Sequence, residues 1–160
     1  MEARIEKLSE QKLIGQYISM NFIENKTFQL WRGFMPRRKE IKNTINSNLY
    51  SLEVFPVGHF DPFDPNNTFQ KWAAVAVSYF NEVPSEMHTL VIPEGNYAVF
   101  THKGSSNDAQ KTYQAIFTKW LPNSAYIVDE RPHFAVMTDK YKKDDPNAEE
   151  DIWIPIKNKI

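Results

Sequence analysis

Residues 88–122, HTLVIPEGNYAVFTHKGSSNDAQKTYQAIFTKWLP, read as strand, turn, strand, helix and stop. Thr89 to Ile92 is apolar and β-branched, Pro93-Glu94-Gly95-Asn96 has turn chemistry, and residues 97–103 alternate as a half-buried strand does. The pair is expected to form a hairpin, followed by a turn at Gly104. Asn107 or Asp108 can then cap a helix whose inward positions Ala109, Thr112, Tyr113, Ile116, Phe117, Trp120 and Leu121 fall on one face at three-and-four spacing. Pro122 ends it, because a proline inside a helix loses a hydrogen bond and clashes with the preceding turn.

Outward from this stretch, residues 12–20, KLIGQYISM, are consistent with a first strand in which Gly15 permits a bulge or a close approach. From Asn25 the pattern turns helical: Phe28, Trp31 and Met35 share a face, with Leu30 and Phe34 beside it, and Asn25 or Thr27 is placed to cap. Residues 50–57 and 71–80 read as strands, joined by the surface connection GHFDPFDPNN. Beyond the second helix, residues 125–128 are extended and residues 133–138 form a strand entered at Pro132. The polar segment DKYKKDDPNAEED leads to a closing strand, residues 152–157, where Pro155 suggests a sheet edge because it lacks a ladder donor.

The chain echoes itself. Thr27-Phe28-Gln29 is repeated by Thr112-Tyr113-Gln114, and the helix end Phe34-Met35-Pro36 by Trp120-Leu121-Pro122. Asp64-Pro65-Asn66 precedes Trp72 at the spacing by which Asp145-Pro146-Asn147 precedes Trp153. The echoes fall in the same order, each after a strand and each followed by another, which implies a duplicated βαββ unit. One domain over residues 1–160 is therefore expected, with pseudo-repeats at about 12–80 and 88–156. The fold class is α+β: a mostly antiparallel sheet, helices on one face, and a central ligand groove at the seam.

Composition limits the function. The 160 residues are 41% hydrophobic and 24% charged, which is globular, and 14% aromatic, which is in excess. Each aromatic can bury about 150–250 Å², so some can line a cavity. A formal net charge of -1 argues against direct nucleic-acid binding, which needs a clustered basic surface to release counterions. Without cysteine there is no disulfide framework, thiol nucleophile or cysteine metal site. No apolar run approaches the length of a membrane span or signal peptide, so a cytoplasmic protein is expected, with no membrane association. His59, His88, His102 and His133 are scattered and none pairs at metal-ligand spacing, so neither a metal nor a cofactor is expected.

Ile92 to Gly104 (IPEGNYAVFTHKG), KWLPNS, RPHF and DIWIPIK, in that order and spacing, resemble the gyrase-inhibitor-like, or transcription-activator effector-binding, small-molecule-binding domains. LIG near the start and FQLWRGF in the first helix fit more loosely. The resemblance implies a duplicated fold whose groove receives flat hydrophobic molecules, often cationic. It also implies that some relatives sense a ligand for a fused DNA-binding region, while others stand alone, bind DNA gyrase or hydrolyse electrophiles. With no room for a helix-turn-helix before Lys12, a stand-alone member is expected. Relatives carry a groove glutamate on the strand after the Pro-X-aromatic entry, where this chain has Ala135, and a tyrosine two residues on, where it has Met137. That departure points to binding rather than catalysis, with no catalytic residue assigned, and to weaker selection for cations.

Glu53, in YSLEVF, stands at about the pseudo-equivalent of Ala135. It faces either solvent, by alternation, or the groove, where it would be the surviving acidic group. Tryptophans of a small fold are usually core, yet an aromatic plane is also what a flat ligand stacks on. The ligand-contacting candidates are Tyr17, Trp31, Glu53, Phe55, Phe100, His102, Trp120, Ala135, Met137 and Trp153. The expected partner is a small hydrophobic or aromatic ligand, with a protein such as a transcription regulator or DNA gyrase as a further partner. Hydrolysis of an electrophile is the alternative activity.

Overall fold

In this computed structural model the chain is described over residues 2–59, 64–104, 109–138 and 147–159. Nine strands form one sheet among them: β1 (Arg4–Leu8), β2 (Gln11–Met20), β3 (Leu49–Val54), β4 (Phe69–Val77), β5 (His88–Ile92), β6 (Gly95–Lys103), β7 (Tyr126–Val128), β8 (His133–Met137) and β9 (Glu149–Asn158). Helix α1 (Thr27–Phe34) runs on into a 3-10 turn, Met35–Glu40, and helix α2 (Ala109–Ala115) into a π-helical turn, Ile116–Trp120. None of these helices is long and apolar enough to cross a membrane.

Every pairing is antiparallel, and the order β1-β6-β9-β8-β3-β4-β2-β5 is the same read from either end: an edge strand, the first strand of a βαββ unit, its last strand, then its middle strand. The register repeats the symmetry. Trp72 faces Tyr17 and Leu52, Trp153 faces Val99 and Phe134, and Leu52 and Phe134 face each other at the seam between β3 and β8. The local pseudo-dyad thus passes through the Leu52–Phe134 pair, and one residue further on it relates Glu53 to Ala135.

The edge strands correct the expected hairpin. β5 does not fold back on β6 but pairs with β2, while β6 takes β1 as its neighbour, so each half borrows its edge from the other. β1 lies in the charged opening segment, where no strand was expected. Its partner is β6, and its neighbour in sequence, β2, lies six strands away. Flat, those strands would be about 29 Å apart at about 4.8 Å per strand. Ser9 and Glu10 alone link them, and three virtual bonds of 3.8 Å span at most about 11 Å. The sheet must curl until its ends approach.

The curl encloses one continuous core. Leu13, Tyr50, Leu52, Trp72, Tyr97, Val99 and Phe134 lie on the face turned away from the helices, with Trp153 packed against them. Gly15 serves the close approach that its place in the strand implies: a Cβ there would strike the carbonyl oxygen of Ala73 and the Cα of Ala74 on β4. On the other face each half carries its own helix. Leu30 and Phe34 of α1 pack on Ile14, Ala73, Val75 and Val77, and Ile116 packs on Ala98, Phe100, Ile152, Ile154 and Ile156.

The stripe of α1 that is buried is therefore Leu30 and Phe34; of the expected stripe, Phe28 and Met35 turn outward, 68% and 43% exposed, while Trp31 packs partly buried against the same core. Either stripe satisfies helical periodicity; the sheet beneath selects one. The helix is capped at Lys26, with no side-chain cap, rather than at the expected Asn25 or Thr27; Asn25 Oδ1, one residue before the cap, accepts from the Thr27 amide at 2.9 Å. The expected caps Asn107 and Asp108 lie outside the described residues, as does the Asp145-Pro146 echo. Pro155 does not mark an edge strand, since β9 lies between β6 and β8. The proline sits where the second neighbour of β9 changes, past the last β8 pairing at Trp153 and before the β7 pairing at Ile156, so no ladder hydrogen bond is lost.

Candidate functional site: the seam between β3 and β8

Alternation decides what the seam offers. With Tyr50, Leu52, Phe134 and Val136 committed to the inner core, Leu49, Ser51 and Glu53 of β3 and His133, Ala135 and Met137 of β8 must turn to the helix side. They pair as Leu49 with Met137, Ser51 with Ala135 and Glu53 with His133, a floor on the helix side of the seam in which His133, Ala135 and Met137 are buried.

The floor is charged at one end. Lys71 stands directly opposite Glu53 in the β3–β4 ladder, and its Nζ lies 3.3 Å from Glu53 Oε1. Both side chains are nearly covered, at 11% and 13% exposure. The second carboxylate oxygen, Oε2, is buried with no hydrogen-bond partner among the described residues. Burial pushes the Glu53 carboxyl above its ordinary value, and Lys71 draws it part of the way back. Tyr113 of α2 is held well above the ordinary phenol value, first by burial and then by the carboxyls of Glu53 and Glu150. Glu150, buried opposite His102 in the β6–β9 ladder, is itself raised, mainly by burial. His102 Nδ1 lies 2.8 Å from the Thr112 hydroxyl.

Aromatic rings surround the charges. Phe55 lies 4.9 Å from the His133 ring, edge to face, 4.7 Å from His59 and 4.8 Å from Phe69, and Phe22 joins the group through Phe69 at 4.9 Å. Phe117 of the π-helical turn lies nearly parallel to His133 at 6.2 Å. Burial, with a smaller contribution from His59, pushes the His133 imidazole down to about 3, so it is neutral near pH 7.

Of the ten ligand-contact candidates, Glu53, Phe55, Ala135 and Met137 come together here, with His102 buried on the same side. Trp31 lies on α1, edge-on to Phe34 at 5.9 Å and packed in the core that includes Leu49. Phe100 is core beneath α2, and Trp120 packs edge-on against it at 5.1 Å and parallel to Tyr126. Tyr17 and Trp153 lie on the opposite face: Tyr17 stacks on Trp72 at 4.9 Å, and Trp153 on Phe134 at 5.3 Å. An even offset from Leu13 places Tyr17 on the inner face of β2, and Trp153 follows Trp72 through the pseudo-dyad. Neither reaches the groove.

Lys71, Tyr113, His133 and Glu150 were not singled out as groove residues from the sequence. A signal for the first was available, since FQKWAAVAV carries one lysine in an otherwise apolar strand, on the parity of Ala73 and Val75. Two of the histidines scattered in sequence meet, His59 and His133 both packing on Phe55, while His102 lies beside Thr112 and His88 against Tyr17.

Two βαββ halves meeting at a seam, each with a helix on it, form a duplicated α+β domain. The sequence matches the GyrI-like small molecule binding domain over residues 1–157, and the chain belongs to that family. It is 27% identical over 158 residues to the transcriptional regulator BrlR of Pseudomonas aeruginosa, covering 98% of this chain and 56% of BrlR. It is 33% identical over 69 residues to the DNA gyrase inhibitor of Erwinia billingiae, covering 41% of this chain and 42% of that protein. The chain spans about half the length of the relatives it matches. Among solved structures, SAV2435 bound to tetraphenylphosphonium superposes with a TM-score of 0.73 at 17% identity, covering 98% of this chain and 94% of that one. The EcmrR C-terminal domain gives 0.70 at 12%, covering 98% of each chain, and a hydrolase encoded by lin2189 of Listeria innocua gives 0.59 at 11%, covering 98% and 92%. At these identities the likeness is one of fold.

Proposed function

We propose that the groove over the β3–β8 seam captures a small hydrophobic or aromatic molecule, and that the domain reports or sequesters that molecule in the cytoplasm. One observation carries the reading: Glu53 presents a buried carboxylate oxygen without a hydrogen-bond partner among the described residues, on a floor bordered by Phe55, Phe117 and His133. A buried acceptor left unmatched costs about 1–3 kcal/mol, and a guest that donates to it recovers that cost while its rings cover the aromatic border. Similarity to BrlR supports a regulatory readout of the bound state. The test is a thermal-shift and intrinsic-fluorescence screen against planar dyes and drugs, repeated with Ala135→Trp, which fills the floor. Binding to the parent chain that is lost in the filled variant is the expected result. No response across a broad panel, or unchanged binding in the filled variant, refutes the groove.

A second reading draws on the same carboxyl. Burial raises Glu53 toward the range of a general base, and a hydrolase shares this fold. Turnover of an electrophilic substrate that is abolished in Glu53→Gln would establish it, and turnover that survives would exclude Glu53 as the base.

A further inference from the structure

We infer that Lys71 is a built-in counter-ion that selects against cationic ligands, so that the groove prefers uncharged aromatic molecules carrying a hydrogen-bond donor. This rests on the proposed groove and adds the ligand class. The position of the acidic group is the starting point. The pseudo-dyad through Leu52 and Phe134 relates Glu53 to Ala135, so of the two symmetry-related floor positions only the β3 one carries a carboxyl.

On the β3 side, however, the carboxyl is not offered bare. The residue directly across the ladder is Lys71, with Nζ at 3.3 Å from Oε1 and both side chains nearly covered. A cation approaching the floor therefore meets a closed pair rather than a free negative charge, and the attraction to Glu53 is largely cancelled by repulsion from Lys71 a few ångströms further on. The symmetry-related position on β9 holds no cation: Lys71 is the residue before Trp72, and its counterpart before Trp153 is Ile152. The charge pair is thus confined to one half, the half whose floor position beside the dyad is Glu53.

What the pair leaves over is one acceptor. Oε1 is engaged by Lys71, and Oε2 is buried and unmatched among the described residues. An N–H or O–H donor on a neutral ring system satisfies that oxygen without disturbing the ion pair. His133 opposite Glu53 is neutral and adds no charge to the pair. Tyr113 stays a phenol.

The experiment is isothermal titration of the full chain with tetraphenylphosphonium, a cation, and with triphenylmethanol and 2-hydroxyquinoline as neutral probes that each carry a donor. It is run at about pH 8, where a freed buried glutamate has ionised to the greatest practical extent. Lys71→Met is expected to bind the cation about tenfold or more tightly than the parent chain, with the neutral probes changed by less than about threefold. Adding Glu53→Gln to Lys71→Met removes the gain. Should Lys71→Met not fold, the double variant Lys71→Gln/Glu53→Gln carries the test: deleting a self-cancelling pair leaves cation affinity within about threefold of the parent, whereas a loss of about tenfold overturns the inference. Neutral probes that bind while Lys71→Met shows no cation gain overturn the counter-ion role and leave the groove standing. No binding by any probe to any variant removes the groove and this inference together.

Discussion

Titrating His133 is the most direct physical challenge to the groove. The residue is 4% exposed, its ring faces Phe55 edge-on and Phe117 in parallel, it sits across the ladder from Glu53, and the charge of His59 adds to burial in disfavouring its protonation. In the unfolded chain an imidazole takes up a proton near pH 6.5, and in the fold His133 resists protonation until about pH 3. Between those values the unfolded state binds more protons, so stability rises with pH and is lost as pH falls through the window. The slope is about 1.4 kcal/mol per pH unit, approaching 5 kcal/mol by pH 3. Glu53 and Glu150 act with the opposite sign. Their folded values are raised above the ordinary carboxyl, so each favours the fold at low pH and gives up that contribution as pH rises to its folded value. The His133 contribution is isolated by comparing the urea midpoints of the parent chain and His133→Phe from pH 7.5 down to pH 4. The variant is expected to gain on the parent steadily as pH falls below 6.5, by about 2–3 kcal/mol at pH 4.5. Parallel curves would refute the reasoning, and so would a His133 imidazole resonance, assigned by its absence from His133→Phe, that titrates near 6.5.

Two further perturbations test the fold that positions the groove. Gly15→Ala puts a methyl group into the backbone of β4 and is expected to cost about 2–3 kcal/mol, lowering Tm by about 5–10 °C, whereas Gly33→Ala on α1, where only Gln16 Oε1 at 4.0 Å is near, is expected to stabilise by about 0.5–1 kcal/mol. Equal effects at the two sites, read by thermal denaturation, would contradict the strand packing. Arg131 braces the second half, donating to the carbonyl oxygens of Asn96 at 2.8 Å and Ile156 at 3.1 Å while its guanidinium lies over the Tyr97 ring. Arg131→Met is expected to cost about 3 kcal/mol, read as a drop in urea midpoint without a change in slope.

Much of this molecule is written locally. Alternation marked β2, β3, β4, β6 and β8 to within a few residues, Pro122 closed the second helical segment, and the paired echoes around Trp72 and Trp153 carried the duplication, because each signal depends only on residues a few positions apart. The same locality explains what could not be read. Pro93-Glu94 is equally good chemistry for a hairpin and for two strands that part company, and only long-range pairing sends β5 to β2 and β6 to β1. Either apolar stripe of α1 satisfies helical spacing, and the surface of β2 and β4 beneath it selects Leu30 and Phe34. Glu53 is opposite in parity to Leu52 in any strand, so its sequence fixes that it leaves the inner core but not what it meets. Lys71, Tyr113, His133 and Glu150 come from four separate elements, and folding the chain into a curled sheet is what gathers them around that carboxyl, since a charge of this kind is tolerated out of water only where the rest of the structure supplies its partners.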